Sequence, residues 1–197
     1  MNNYIQIYKN VISDEYCDEL VKKFELNSDQ HKISDFRQGE NIPNEGSTSF
    51  TSLNLNENSY KWIDDITKIS EVYIKYLKQY KKDCDIKKSM WPSKCNFEEF
   101  RMKRYLPNDT DQFKAHVDVN NYNYARRFLV FFIYLNDNER GETNFPQLEL
   151  ASPCKKGSLI IFPPLWPWLH AGMKPINKPK YIMGSYLHYV LDNNQAL

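Results

Sequence analysis

The stretch FKAHVDVNNYNYARRFLVFFIYLNDN, residues 113–138, decides how this chain folds. Its centre, Phe128 to Leu135, is the longest apolar run in the sequence. Such a run is far too short to cross a bilayer and suits a buried strand. Asn136-Asp137-Asn138 then closes it with a turn signal. Upstream, Phe113 to Val119 also reads as a strand, and it carries His116 and Asp118 two residues apart. Alternate side chains of a strand share a face, so one short element presents an imidazole beside a carboxylate. Working outward, Phe97–Tyr105, Gly157–Phe162, Trp168–Gly172 and Lys180–Val190 are further strand candidates, with Pro, Gly and Asn clusters between them. Many short strands of this kind predict a barrel or a two-sheet jelly roll.

The first half of the chain has another period. Ser13 is placed as an N-cap, followed by Asp14 and Glu15. Tyr16, Leu20 and Phe24, with Cys17 and Val21, then make an apolar face at helical spacing. Trp62, Ile66, Ile69, Val72, Tyr73, Tyr76, Leu77 and Tyr80 mark a second, stronger helix. Between them, residues 44–60 are polar and turn-rich; they read as a loop and as a candidate mobile cover. Helices first and strands later predicts an α+β chain, with N-terminal helices packed on one sheet. A single domain over residues 1–197 is expected, about 1–90 forming mainly helical support and about 91–192 the jelly-roll core.

Composition narrows the functional classes. Of 197 residues, 41% are hydrophobic and 15% aromatic, enough for a sizeable core. The formal charge of +1 gives no electrostatic case for nucleic acid or an anionic membrane. Lys81, Lys82, Lys87 and Lys88 are interrupted by Asp83 and Asp85 and read as a solvated helix end. Cys17, Cys84, Cys95 and Cys154 lie far apart, which suits free thiols in a reducing compartment. With no signal-peptide pattern in the opening residues, the expectation is a cytoplasmic protein.

His116-x-Asp118 becomes informative only with a second histidine from another strand. Two histidines and a carboxylate on one face of a metal leave positions open for reactants, as in Fe(II) oxygenases. Alone, a His-x-acid triplet arises by chance in roughly four such chains in ten. His31 lies in a polar stretch and His188 late in the last strand, whereas His170 follows a turn region from which the chain can double back.

Order and spacing add specificity. Tyr105, His116-x-Asp118, Arg127, Tyr134-Leu-Asn136, Gly141-Glu-Thr143-x-Phe-Pro146, Gly157-x-Leu-Ile-Ile-Phe-Pro163, His170 and Lys180-Tyr181 together closely resemble the catalytic domain of prolyl 4-hydroxylase-like 2-oxoglutarate oxygenases. Residues 5–17 resemble that family's N-terminal strand and first helix. The resemblance implies a double-stranded β-helix, Fe(II) on His116, Asp118 and His170, and 2-oxoglutarate and O₂ as co-substrates. It also implies that Lys180 pairs with the distal carboxylate of 2-oxoglutarate, and that Tyr105 and Thr143 hydrogen-bond this co-substrate. Arg127 matches a substrate-facing arginine of the peptide-hydroxylating members, and ascorbate is a further cofactor of the family. The implied reaction hydroxylates a C–H bond, of a prolyl residue in a peptide or protein, and releases succinate and CO₂.

The pattern is not complete. Arg140-Gly141 stands where a doubled glycine is common, Phe113 where a tyrosine is common, and Tyr186 where the last strand usually carries tryptophan. Three other readings therefore stay open: a hydroxylase of a free amino acid or other small molecule, a non-catalytic jelly-roll binding protein, and a zinc hydrolase. The last lacks an H-E-x-x-H helix or an equivalent general base. Oligomeric state is not legible.

Overall fold

A computed structural model describes residues 4–35 and 48–191. After β1 (Gln6–Tyr8) comes helix α1 (Asp14–Leu26). It starts where the sequence places it: the Ser13 hydroxyl accepts the Tyr16 N–H at 3.2 Å, with Asp14 and Glu15 in the first turn. Tyr16, Cys17, Leu20 and Phe24 are buried and Val21 is partly buried, so the apolar face is the core face. Helix α2 (Ser59–Asp83) buries Trp62, Ile69, Tyr73, Leu77 and Tyr80 in the same way, and Lys81 and Lys82 occupy its last turn. The Tyr73 hydroxyl donates to the Met183 carbonyl at 2.8 Å, fixing α2 across the sheet beneath it.

The remaining strands are β2 (Lys32–Asp35), β3 (Ser49–Asn54), β4 (Cys95–Phe97), β5 (Arg101–Tyr105), β6 (Phe113–His116) and β7 (Arg127–Tyr134). They are followed by β8 (Thr143–Phe145), β9 (Leu150–Ser152), β10 (Leu159–Phe162), β11 (His170–Gly172) and β12 (Lys180–Tyr189). All pairings are antiparallel. The larger sheet runs β1-β10-β7-β12-β5-β3-β2, with β4 paired to the end of β12; the smaller runs β6-β11-β8-β9.

Alternation along the central strands creates two interiors. Leu129, Phe131 and Ile133 of β7, Met102 of β5, and Tyr181, Met183 and Leu187 of β12 join the cluster under the helices. The opposite parity, including Val130, Phe132 and Tyr186, faces the smaller sheet and packs with Phe145 and Phe162. The result is a helix layer, a large sheet and a small sheet, with a pocket between the sheets. This is the expected α+β jelly roll with helices on one sheet.

Several local expectations are corrected. Residues 44–47 lie outside the described residues, but the rest of the supposed 44–60 loop is strand β3, a short turn and the start of α2. Phe50 of β3 packs on Tyr105 and Phe113, at ring centroid distances of 5.5 and 5.4 Å, so this segment is a wall and not a cover. The strand expected at Phe97–Tyr105 is broken into β4 and β5, which flank different parts of β12. Asn56 accepts the Phe100 N–H through its side chain at the break. The first half, expected to be mainly helical support with an N-terminal strand, also supplies β2 and β3 to the large sheet beside β1.

Candidate active site

Strand β6 ends at His116, sooner than the expected Val119, and β11 pairs with it so that His170 lies directly opposite His116. The turn Trp166–Trp168 precedes β11, so the strand expected from Trp168 begins two residues later. Asp118 sits in the bend just after β6, where its carboxylate returns to the same side as the two imidazoles. Its Oδ1 is 3.5 Å from His116 Nε2 and its Oδ2 is 3.6 Å from His170 Nε2.

The protonation pattern follows from the hydrogen bonds. His116 Nδ1 faces the Lys114 carbonyl at 2.8 Å, and His170 Nδ1 faces the Trp168 carbonyl at 3.1 Å. A carbonyl only accepts, so each Nδ1 carries a proton, which leaves Nε2 as the ring nitrogen available to a metal. The Tyr186 hydroxyl donates to Asp118 Oδ1 at 2.7 Å, while Oδ2 is buried with no hydrogen-bond partner. A buried carboxylate oxygen with no donor is costly unless a cation satisfies it. The three ligand atoms, all within 4.8 Å of one another, therefore fit a metal ion of the N₂O facial kind.

Electrostatics agree. Burial alone would raise the Asp118 carboxyl, but His170, His116 and the Tyr186 hydrogen bond outweigh it and hold the group well below the usual carboxylate range. Burial pushes the His170 imidazole down to about 4, so it is neutral and able to donate a lone pair.

Lys180 lies across the pocket from this triad. It is 2% exposed and faces inward, with Nζ donating to the carbonyls of Gly141 and Met173, each at 3.1 Å. The ammonium also stands 4.3 Å from the centre of the Tyr105 ring. One N–H remains for a ligand. Gly172 keeps the space before it open, since a Cβ there would come 3.5 Å from Nζ and 3.3 Å from the Phe113 Cβ. Burial lowers the Lys180 ammonium to about 8, the cost of a cation with no carboxylate partner among the described residues. This cradle fits one end of a small dicarboxylate.

The other expected residues are present with differing freedom. Tyr105 is buried on the pocket wall. The Thr143 hydroxyl is 2.7 Å from the Tyr134 hydroxyl, which also accepts the Thr143 N–H at 3.1 Å. Arg127 lies near the mouth, where a bidentate pair with Glu98 at 2.8–3.0 Å engages it. Its guanidinium is stacked between Tyr124 and Tyr186, at 4.2 and 4.0 Å.

Sequence reasoning missed Lys103, which lines the pocket beside Phe50 and Phe113. The signal was available: Lys103 and Tyr105 are two apart on β5 and share a face. It also missed that Tyr186 holds Asp118, although the residue stood out as an unusual aromatic in β12.

Fold and site together give a jelly roll whose histidine–aspartate–histidine cluster could hold a metal ion, the form of an Fe(II) oxygenase. Residues 100–188 match the 2OG-Fe(II) oxygenase superfamily, and the match supports a 2-oxoglutarate-dependent oxygenase. The family implies Fe(II), 2-oxoglutarate and O₂. A search of curated proteins returned no significant match.

Solved structures share the fold over nearly the full length. The viral collagen prolyl hydroxylase vCPH of Paramecium bursaria Chlorella virus-1, in complex with 2-oxoglutarate, is 24% identical with a TM-score of 0.62. That match covers 95% of this chain and 97% of the viral one. A Pseudomonas putida prolyl-4-hydroxylase is 11% identical, covering 95% and 94% of the two chains, with a TM-score of 0.59. A Trichoplax adhaerens prolyl hydroxylase bound to a hypoxia inducible factor peptide fragment is 13% identical, covering 94% and 84%, with a TM-score of 0.69. Among the described residues, no helix is long and apolar enough to cross a membrane.

Proposed function

We propose that the chain hydroxylates a prolyl residue in a peptide or protein, with Fe(II) held by His116, Asp118 and His170. The observation that carries this reading is the buried, unpartnered Asp118 Oδ2, 3.6 Å from His170 Nε2, in the pocket that Lys180 also lines. Bound Fe(II) supplies the oxygen chemistry that no side chain can perform. The net reaction sends one oxygen atom into the substrate C–H bond and the other into succinate, with loss of CO₂.

The protein's own part is orientation and shielding. The Lys114 and Trp168 carbonyls fix the imidazole tautomers, and Tyr186 occupies one Asp118 oxygen so that the other is presented to the metal. Lys180 receives the distal carboxylate of 2-oxoglutarate, with Tyr105 beneath it and Thr143 beside it. To donate to that carboxylate, the Thr143 hydroxyl turns from Tyr134. Phe113, Phe132 and Ile182 line the pocket and keep water from the reacting atoms. Arg127, braced by Glu98, forms the groove wall where a peptide enters. Residues 1–197 act as one catalytic domain on this reading.

The test is mass spectrometry of proline-containing peptides and free amino acids after anaerobic Fe(II) loading, 2-oxoglutarate and ascorbate addition, and exposure to air. A mass gain of one oxygen on a peptide proline supports the reading. Oxygen on a free metabolite alone transfers it to small-molecule hydroxylation. His116→Ala and His170→Ala abolish turnover while retaining the fold; normal turnover in either variant contradicts the triad.

A further inference from the structure

A groove runs outward from the pocket over β5, β12 and β7. Its charged walls are almost fully paired. Lys32 binds Glu57 at 2.7 Å, Arg101 binds Glu99 at 2.5 Å, and Arg127 binds Glu98 at 2.8 Å. Lys103 is the exception among the described residues lining the groove: it has no salt bridge and no hydrogen bond there. Its ammonium rests 4.8 Å from the Phe50 ring centre and 5.0 Å from that of Phe113.

The position of Lys103 separates it from the co-substrate anchor. On β5 and β12, Tyr105 pairs with Lys180 and Lys103 pairs with Ile182, one same-face step further along the sheet. Two residues of strand span about 7 Å. Lys180 lines only the inner pocket, whereas Lys103 borders both that pocket and the outer groove. A lysine held over two phenyl rings at such a border is partly desolvated and still lacks a counter-charge. The negative charge that favours its ammonium is that of Asp118, which on the proposed reading belongs to the metal.

We infer that Lys103 selects the primary substrate by receiving a carboxylate that the substrate presents beside the C–H bond to be oxidised. This deepens the proposed function and rests on it for the location of the oxidised bond. The carboxylate has three sources: an acidic side chain next to proline, a peptide C-terminus, or the carboxylate of a free amino acid. A hydrogen-bonded ammonium–carboxylate contact at a partly exposed site changes affinity by about 10- to 100-fold.

The experiment compares wild type with Lys103→Met, which keeps the stem length and removes the charge. Fluorescent proline-containing peptides, with Glu or Gln beside proline and with a free or amidated C-terminus, are titrated by anisotropy into the anaerobic Fe(II)·2-oxoglutarate protein. Unlabelled proline is added as competitor, and each probe is also assayed for oxygen incorporation. At least one carboxylate-bearing probe binds wild type about 10-fold or more tightly than its neutral counterpart, or unlabelled proline competes better than prolinamide. Lys103→Met erases the difference, and the responding arm identifies the source. 2-Oxoglutarate affinity stays within about threefold, which also reports that the variant folds.

Equal binding of charged and neutral probes by wild type overturns the inference, as does a preference that survives in Lys103→Met. A loss of 2-oxoglutarate affinity in the variant overturns it too, since Lys103 is then a second co-substrate anchor. Carboxylate-dependent binding through Lys103 without oxygen on any proline leaves the inference standing and removes the prolyl reading instead.

Discussion

Lys180 was legible as an inward candidate from sequence order, but alternation alone allowed an outward lysine as well. Its burial and its two carbonyl contacts settle the direction. Removing one member of a buried charge pair costs about 3–5 kcal/mol, and water entering the space reduces this to about 2–4 kcal/mol. Lys180→Ala therefore lowers 2-oxoglutarate affinity about 30- to 1,000-fold, measured by anaerobic titration, while Fe(II) binding changes little. The pH dependence has a definite sign. With the free ammonium lowered to about 8, the ligand-free site loses its proton above that pH, and binding of the dianion must restore it. Affinity is thus flat below pH 8 and falls above it, by up to about tenfold per pH unit, with proton uptake on binding. A pH-independent affinity between pH 7 and 9.5 contradicts this account. Tyr186→Phe removes the donor to Asp118 Oδ1. Outer partners of metal ligands are worth about 10- to 100-fold in affinity, so Fe(II) binding weakens by that order, and an unchanged Fe(II) titration argues that the hydroxyl is incidental.

At the scale of elements, the long periodic segments were readable and the short polar ones were not. Helices α1 and α2 were legible because their apolar residues recur at helical spacing and one core receives them. Strand β3 was hidden by its composition. Ser49, Thr51, Ser52 and Asn54 read as turn residues, and only pairing with β2 and β5 makes them a strand. Strands β8 and β9 are three residues each, too short for alternation to register. His116, Asp118 and His170 were grouped by order along the chain, whereas their geometry depends on the β6–β11 pairing that no local pattern encodes. Gly184 shows the same dependence on partners. A Cβ there would lie 2.6 Å from the Phe132 Cβ and 2.7 Å from the Phe131 carbonyl. Gly184→Ala thus overpacks β12 against β7 and destabilises the fold by about 1–3 kcal/mol in urea unfolding. A neutral result means that β7 shifts freely.

For the whole molecule, the pocket is a seam between two sheets that otherwise meet through a small apolar cluster. On the proposed reading, His116, Asp118 and His170 come from the small sheet and its adjoining bend, and Lys180 from the large one. Ligands in this seam bind the folded state alone and raise its stability by about 2.7 kcal/mol at 100 times Kd. Fe(II) with 2-oxoglutarate should therefore raise Tm, by about 5–11 °C for a domain of this order. The rise disappears in His170→Ala and shrinks in Lys180→Ala. An equal rise in all three proteins places the binding elsewhere.

The tether on Lys180 has a consequence for which acids the protein can use. With Nζ tied to the Gly141 and Met173 carbonyls, the ammonium is a fixed post rather than a swinging arm. On the proposed reading, a fixed post opposite a fixed metal centre is a ruler. It accepts one spacing between the two ends of an acid, and it cannot lean inward to meet a shorter molecule. Oxaloacetate, one methylene shorter than 2-oxoglutarate, can touch the metal or the post but not both. Its affinity should fall nearly to that of a monocarboxylate keto acid such as pyruvate, and Lys180→Ala should make the chain indifferent to acid length.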